Sequence, residues 1–122
     1  MTTGSYLSPK TLLLGQKGVD VGHILENTIY PELLRRGYEV FVGKAGETEI
    51  DFVAQNNLGG TCIQVAATVR DESALARELR PLQALNDSYP KLILTLDDDP
   101  DADYEGIRRI NALDWLLRKE SI

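Results

Sequence analysis

The sequence has one cysteine, Cys62, among 122 residues, and it lacks any long apolar run. A single thiol excludes a disulfide within the chain and is typical of a reducing compartment. No stretch reaches the roughly 18 apolar residues of a membrane-spanning helix, and residues 11–14 are too short for the core of a signal peptide. These absences predict a cytoplasmic protein without a membrane span, in which Cys62 is a small core residue of a strand.

Clusters of basic residues are also missing. The chain has 13 Lys and Arg against 19 Asp and Glu, a formal net charge of −6, and its longest basic run is Arg35-Arg36. Because autonomous nucleic-acid binding neutralises phosphates with clustered cations, tight binding of this kind is not expected. Weak or partner-assisted binding stays open. No Gly-x-x-x-x-Gly-Lys-[Ser/Thr] motif occurs, so the chain is not expected to hydrolyse ATP.

The length and composition predict one folded domain. The sequence is 43% hydrophobic and 26% charged, which is ordinary for a globular protein. The apolar residues among positions 1–17 recur at no clear helix or strand spacing, so this stretch is interpreted as a lead-in segment. Residues 18–122 contain regular patterns and are predicted to form the domain itself, because 122 residues leave little room for a second one.

Helical spacing predicts a first helix over residues 20–36, capped by Asp20 and ended by Gly37. Pro31 falls inside it, where we expect a kink or a local fault. Three short strands follow, joined by short turns, and should form an antiparallel meander. Their predicted ranges are 38–43, 48–54 and 61–69.

The second half of the chain predicts a crossover. Asp71 can cap a second helix, which Pro81 should bend or restart. A fourth strand over residues 91–96 would then lie parallel to the third, because a strand–helix–strand unit is right-handed and parallel. An acidic loop over residues 97–103, a short fifth strand over 107–110 and a last helix capped by Asn111 complete an α/β fold with a mixed sheet flanked by helices.

Three polar residues interrupt apolar patterns in this scheme. Asp51 lies in the middle of the second strand, Gln64 in the middle of the third, and Glu26 on the first helix. Strand side chains alternate with period two, so Asp51 can lie beside Gln64 if the strands pair in simple register. A buried charge needs a partner or water, so Asp51 is the residue whose position most needs explaining. One interpretation is purely structural: Glu26 and Asp51 would form a polar cluster with Gln64, Asn27 or Tyr30.

Linked motifs carry a resemblance to a known family. They are Gly22-His23-Ile24-Leu25-Glu26-Asn27, Leu33-Leu34-Arg35-Arg36-Gly37-Tyr38-Glu39-Val40, Glu49-Ile50-Asp51-Phe52-Val53, Ile63-Gln64-Val65, Tyr89-Pro90-Lys91 and Ile110-Asn111-Ala112-Leu113-Asp114-Trp115-Leu116. Over about residues 18–117 the chain resembles the PD-(D/E)XK nuclease-like superfamily. More narrowly, it is similar to the domain of unassigned function that follows the ATPase module of prokaryotic AAA+ proteins. The resemblance implies a restriction-endonuclease-like core.

The resemblance also implies a site. Active members of the superfamily bind Mg²⁺ through a helix Glu, a strand Asp and a Glu-x-Lys, and Glu26 and Asp51 match the first two positions. Gln64 stands where the Glu of the last pair is expected, and Ala66 stands where the Lys is expected. The resemblance therefore implies a degenerate site, in which Lys44 could replace the absent cation and any Mg or Mn would bind weakly.

Three functions stay open at this point. The first is an accessory module of an AAA+ ATPase, attached in cis or bound in trans. The second is a Mg- or Mn-dependent nuclease in which Glu26, Asp51, Gln64 and Lys44 form a rearranged site. The third is a homodimeric scaffold.

For two further features, His23 and the acidic loop, we expect structural roles only. His23 is expected to be a surface or capping residue. The acidic loop lacks the Gly and Glu of a calcium loop, and is expected to be a solvated turn.

Overall fold

The computed structural model describes residues 7–9, 21–45, 47–85 and 88–118. They form one seven-stranded mixed sheet in the order β1-β2-β3-β4-β5-β7-β6. The strands are β1 (Leu7–Pro9), β2 (Glu39–Ala45), β3 (Thr48–Asn56), β4 (Gly59–Val65), β5 (Lys91–Thr95), β6 (Ala102–Tyr104) and β7 (Ile107–Asn111). The helices are α1 (Val21–Arg35), α2 (Glu72–Ala84) and α3 (Ala112–Leu117).

The first helix has the predicted C-terminal stop. Gly37 has a φ of +91°, and its N–H donates to Leu34 O while the Tyr38 N–H donates to Leu33 O. Glycine adopts this left-handed conformation at little cost, so the helix ends here. α1 runs without interruption through Pro31, which is exposed. The predicted Asp20 cap and most of the predicted lead-in segment lie outside the described residues.

The predicted meander and crossover are both confirmed. β2, β3 and β4 pair antiparallel in sequence, and β4 pairs parallel with β5 after the chain crosses through α2. Asp71 caps α2 by accepting a hydrogen bond from the Ala74 N–H. α2 continues across Pro81 as one helix, so no second segment starts there.

Two predicted boundaries were wrong. β4 ends at Val65 instead of residue 69. Ala66 and Ala67 still make main-chain hydrogen bonds to Leu94 and Leu96, but further on the Val69 N–H bonds to the side chain of Asp97 instead of to a strand. The predicted acidic loop also contains a strand, β6, which pairs antiparallel with β7. The two-residue turn between them has positive φ at Glu105 (54°) and Gly106 (94°), which is the geometry of a tight hairpin.

A β-bulge interrupts β3 at Asp51. Phe41 pairs with Val53, but Gly43 pairs with Ile50, so two residues of β3 oppose one residue of β2. Ile50 and Val53 consequently pack on the same side of the sheet. A Cβ on Gly43 would lie 2.7 Å from Val53 Cγ2, so the bulge requires glycine at this position of β2.

The core consists of one apolar layer on each face of the sheet. α1 and α3 cover one face, where Leu33, Phe52, Ile63 and Trp115 are buried. α2 covers the opposite face, where Leu82 is fully buried against strand residues of the second cluster. Cys62 belongs to that second cluster and is 1% exposed, which confirms its predicted role as a small core residue. Across the described ranges, none of the helices combines the length and apolarity needed to cross a bilayer.

Candidate functional site

The three polar residues identified from the sequence meet at one cleft of about 390 Å³. Glu26 reaches the cleft from α1, Asp51 from β3 and Gln64 from β4. The ladder between β3 and β4 has its last registered pair at Phe52 and Ile63, next to this point. The cleft therefore forms where two adjacent strands separate.

Side chains replace the backbone ladder where the strands separate. Gln64 Oε1 accepts a hydrogen bond of 2.7 Å from the Asp51 N–H, and Asp51 Oδ2 accepts one of 2.9 Å from the Val65 N–H. Gln64 is 4% exposed and Asp51 is half-buried. Because an unpaired buried N–H costs about 1–3 kcal/mol, each polar side chain stabilises the main chain of the other strand. Asp51 and Gln64 thus form the structural polar pair that the sequence left open as an alternative.

The second helix adds charged residues that sequence reasoning missed. Arg77, Glu78 and Arg80 line the cleft together with Glu26 and Asp51. Burial raises the pKa of Glu78, Arg77 partly offsets this effect, and the nearby Glu26 carboxylate adds to it. The cleft is consequently a mixed-charge site in which one carboxyl holds its proton more strongly than usual.

Lys44 does not line the cleft. Its ammonium group lies 3.5 Å from Glu49 Oε2, and Glu49 itself lines the cleft. The register of β2 and β3 explains this pairing, because Lys44 and Glu49 are direct partners across the two strands. The structure therefore brings Lys44 to the margin of the site, where it is ion-paired.

The arrangement offers few ligands for a metal ion. Among the described residues, no three His, Cys, Asp or Glu side chains lie close enough together to hold one. Glu26 and Asp51 share the cleft, and the third ligand expected from the sequence is Gln64. Mg²⁺ prefers near-octahedral coordination by hard, charged oxygens. The neutral Gln64 oxygen is already bonded to a main-chain N–H, so it is a poor third ligand.

His23 and Tyr30 lie on the same helix as Glu26. His23 is an exposed residue of α1, as expected. The ring of Tyr30 stacks on Phe52, with centroids 6.3 Å apart and planes 9° from parallel. Tyr30 therefore contributes to the apolar layer under α1.

The acidic segment after β5 is mostly exposed, as expected for a solvated turn, but Asp97 is buried and arginines pair with two of the other carboxylates. Asp97 is 5% exposed, and its Oδ2 accepts a hydrogen bond from the Val69 N–H. Arg70 Nε lies 2.9 Å from Asp99, and Arg118 lies 3.3 Å from Asp101. Arginines from separate parts of the chain thus form ion pairs with Asp99 and Asp101 of this loop.

A sequence signal for the missed α2 residues did exist. A crossover helix between two parallel strands packs across those strands. Polar residues on such a helix, near the ends of its apolar face, can therefore reach a gap in the sheet. The positions of Arg77 and Arg80 within α2 could be predicted from the sequence. The gap between β3 and β4 could not.

Comparisons with known proteins give one distant similarity. No family model matches the sequence, and no solved structure matches it. A Haemophilus influenzae protein, whose name states only that it is uncharacterized, is 36% identical over 105 residues. The match covers 86% of this chain but 26% of that relative, which is therefore about 400 residues long. The chain spans about a quarter of the length of the curated relative that it matches.

Proposed function

We propose that this chain is a non-catalytic accessory module of an AAA+ ATPase, with a nuclease-like fold and a degenerate site. One observation carries the proposal. Asp51 and Gln64, which match the acidic positions of the nuclease motif, bond to the main chain of β3 and β4 across the gap in the sheet. The positions expected to hold a metal thus hold two strands together.

The missing cation supports the same conclusion. Nuclease chemistry needs a positive group beside the attacking water and the developing phosphorane charge. Ala66 offers no such group, and Lys44 is paired with Glu49 at the margin of the cleft. The chain's net charge of −6 opposes unaided approach to a polyanionic substrate.

Association with an ATPase rests on the resemblance and on size. The resemblance is to a domain that follows an ATPase module, and this chain has no P-loop of its own. The similar protein from Haemophilus influenzae is about four times as long as the matched stretch. The remainder is long enough for one or more additional domains. The module would then act in cis in long relatives, and in cis or in trans here.

A second candidate is a Mg- or Mn-dependent nuclease with a rearranged site. The observation that favours it is the presence of Arg77 and Arg80 in the same cleft as Glu26 and Asp51. A guanidinium from α2 could supply the positive charge that Ala66 lacks. We rank this candidate second because Asp51 has a structural role.

Replacing Asp51 separates the two candidates. The accessory proposal expects no nicking of plasmid DNA with Mg²⁺ or Mn²⁺, and no shift of the unfolding midpoint on addition of Mn²⁺. Asp51→Ala should lower the free energy of unfolding by about 1–3 kcal/mol in urea, because the Val65 N–H loses its acceptor. Asp51→Asn should lose less, because it keeps an acceptor oxygen.

Glu49→Ala is the matched control, since Glu49 is a carboxylate on the same strand with its side chain 59% exposed. It should change stability far less than Asp51→Ala. Cleavage that is lost in a folded Asp51→Asn protein but kept in Glu49→Ala would contradict the accessory proposal and establish the nuclease.

A further inference from the structure

The cleft between β3, β4 and α2 contains hydrogen-bond donors that the fold leaves unused. They belong to the side-chain amide of Gln64 and to the guanidinium groups of Arg77 and Arg80. Of the eight arginines in the described ranges, six form a hydrogen bond or an ion pair. Arg77 and Arg80 form neither with any described residue. The two unpaired arginines thus lie in the same cleft.

The amide nitrogen of Gln64 is the donor that most needs a partner. The side chain is 4% exposed, and its Oε1 accepts the hydrogen bond from the Asp51 N–H. Its Nε2 carries two N–H donors and makes no hydrogen bond with a described residue. Among the described residues, Trp115 Nε1 is the one fully buried side-chain nitrogen or oxygen without a partner, so Gln64 Nε2 is not fully buried. It therefore faces open space, and the space that Gln64 lines is the cleft.

The acceptors of the cleft are already in use. Asp51 accepts a hydrogen bond from the main chain of β4, and Glu49 is paired with Lys44. Burial raises the pKa of Glu78, and the Glu26 carboxylate adds to this effect. Glu78 consequently takes up a proton more readily than an ordinary glutamate, which lowers the negative charge that an incoming anion meets. The cleft therefore has donors to offer and few free acceptors.

We propose that the cleft binds a carboxylate group, with the Gln64 amide and the guanidinium groups of Arg77 and Arg80 as its donors. Arg77 and Arg80 are three residues apart in α2, so they are neighbours on the helix surface. A guanidinium presents its N–H groups in a planar fork that matches the two oxygens of a carboxylate. Charge favours a carboxylate over a phosphate, because Glu26 and Asp51 line the same cleft and repel a dianion more strongly than a monoanion.

The inference rests on the proposed accessory function, because the carboxylate would fill the space that a catalytic metal and its substrate need. The carboxylate belongs either to a small organic acid or to an acidic side chain of a partner protein. A volume of about 390 Å³ is in the range of small-molecule sites, and it also admits one side chain. Both sources present the same group, and the test separates them.

NMR titration of the ¹⁵N-labelled chain in EDTA follows the donors directly, through the side-chain amide of Gln64 and the Nε–H groups of Arg77 and Arg80. Sodium butyrate should shift these signals saturably, with a dissociation constant of about 10 mM, which is typical of a ligand with so few atoms. Neutral butyramide and sodium chloride at equal ionic strength should not. The absence of saturation by butyrate, equal shifts with either control, or tighter binding of inorganic phosphate would each overturn the proposal.

Matched variants test the assigned donors. Gln64→Glu keeps an acceptor for the Asp51 N–H but removes the amide donor, so it should weaken butyrate binding about tenfold. Arg80→Gln changes an exposed, unpaired residue and should weaken binding about fivefold without loss of folding. Arg108→Gln removes the same charge from an exposed arginine that is paired with Asp101, and should leave the affinity unchanged.

Equal weakening by Arg80→Gln and Arg108→Gln would overturn the proposal, because net charge alone would then explain the effect. Unchanged affinity in a folded Gln64→Glu protein would also overturn it. If Gln64→Glu does not fold, the comparison of the two arginine variants decides.

Peptides identify the source of the carboxylate. Acetylated and amidated Gly-Glu-Gly carries one carboxylate, and Gly-Gln-Gly is its neutral match. Tighter binding of the Glu peptide than of butyrate supports the proposal with a partner protein as the source, and the reverse order supports it with a small acid. Equal binding of the Glu and Gln peptides would overturn it.

The plasmid-nicking assay on the same protein keeps the two proposals separate. Nicking together with saturable butyrate binding would contradict the accessory function alone. Absence of both nicking and butyrate binding would overturn the carboxylate site alone.

Discussion

At the scale of single residues, Asp51 and Gln64 replace the main-chain ladder at the point where β3 and β4 separate. Asp51 was identified from the sequence because a carboxylate interrupts an apolar strand. Its hydrogen bond to the Val65 N–H depends on the bulge in β3, which no local pattern predicted. Gln64 follows the same logic, since its bond to the Asp51 N–H exists only because the two strands separate.

Glu78 gives a prediction about pH. Burial raises its pKa, so the folded state binds this proton more tightly than the unfolded state does. The ionised carboxylate therefore destabilises the fold above the folded pKa, and the effect vanishes below the ordinary value of 4.5. Glu78→Gln should accordingly unfold at a higher urea concentration than wild type at pH 7, and the difference should disappear near pH 4.

The control for this prediction is Glu72→Gln, which changes an exposed glutamate in the first turn of the same helix. It should show no comparable gain at pH 7. A stability difference between Glu78→Gln and wild type that grows as the pH falls would contradict the assigned cause.

At the scale of elements, one arginine joins the first and last helices. The Arg36 guanidinium donates to Trp115 O at 2.9 Å and to Arg118 O at 2.7 Å, which are carbonyls at the C-terminal end of α3. It also lies 4.2 Å from the Trp115 ring centroid and 2.7 Å from Glu32 Oε2. A cation beside the carbonyls at the C-terminal end of a helix is favourable, so this contact fixes α3 against α1.

Removal of the Arg36 contact should lower the free energy of unfolding substantially. Arg36→Ala should lower the free energy of unfolding by about 2–4 kcal/mol in urea, because two charged hydrogen bonds and the contact with the indole ring are lost together. Arg36→Lys should recover only part, since one ammonium group cannot replace a planar fork. Arg35→Ala is the control, because Arg35 binds the same Glu32 but its side chain is 71% exposed. Equal losses for the two arginines would contradict this account.

The same cluster has a defined pH dependence. Hydrogen bonds from Arg35 and Arg36 lower the pKa of Glu32 to about 2. A carboxylate with a lowered pKa stabilises the fold above its unfolded value of 4.5, and that stabilisation is lost as the pH falls towards about 2. Part of the cost of Arg36→Ala should therefore disappear in strong acid.

At the scale of the whole molecule, the two layers of the core share one sheet. The strands β3, β4 and β5 contribute side chains to the layer under α1 and α3 and to the layer under α2. Because both layers depend on the same strands, neither can form alone. The cleft lies where this shared sheet opens, which allows α1 and α2 to supply charges to one site from opposite faces.

The proposed ATPase association also belongs to this scale. The full-length similar protein from Haemophilus influenzae should release phosphate from ATP, whereas the present chain alone should not, because it has no P-loop. Phosphate release by the two purified proteins measures this directly. A full-length relative that neither binds nor hydrolyses ATP would contradict attachment of such a module in cis.

Much of the fold was predictable because its signals are local. Helical spacing, the Gly37 stop, and the Asp71 and Asn111 caps each depend on a few consecutive residues. The hairpin of β6 and β7 was missed because its strand is three residues long and rich in acidic side chains. Its turn signal, Glu105-Gly106, was present in the sequence. The pairing of Lys44 with Glu49 could not be predicted from local signals, because it depends on strand register.

The sequence by itself determined most of the elements, their order, and the antiparallel and parallel pairing of the central strands. These follow from periodicity, turn residues and the handedness of the crossover, which act over short distances. Only the tertiary structure decided what Glu26, Asp51 and Gln64 do. Their roles depend on a bulge and a gap that arise when three strands and two helices pack together, and packing of this kind acts between residues far apart in the chain.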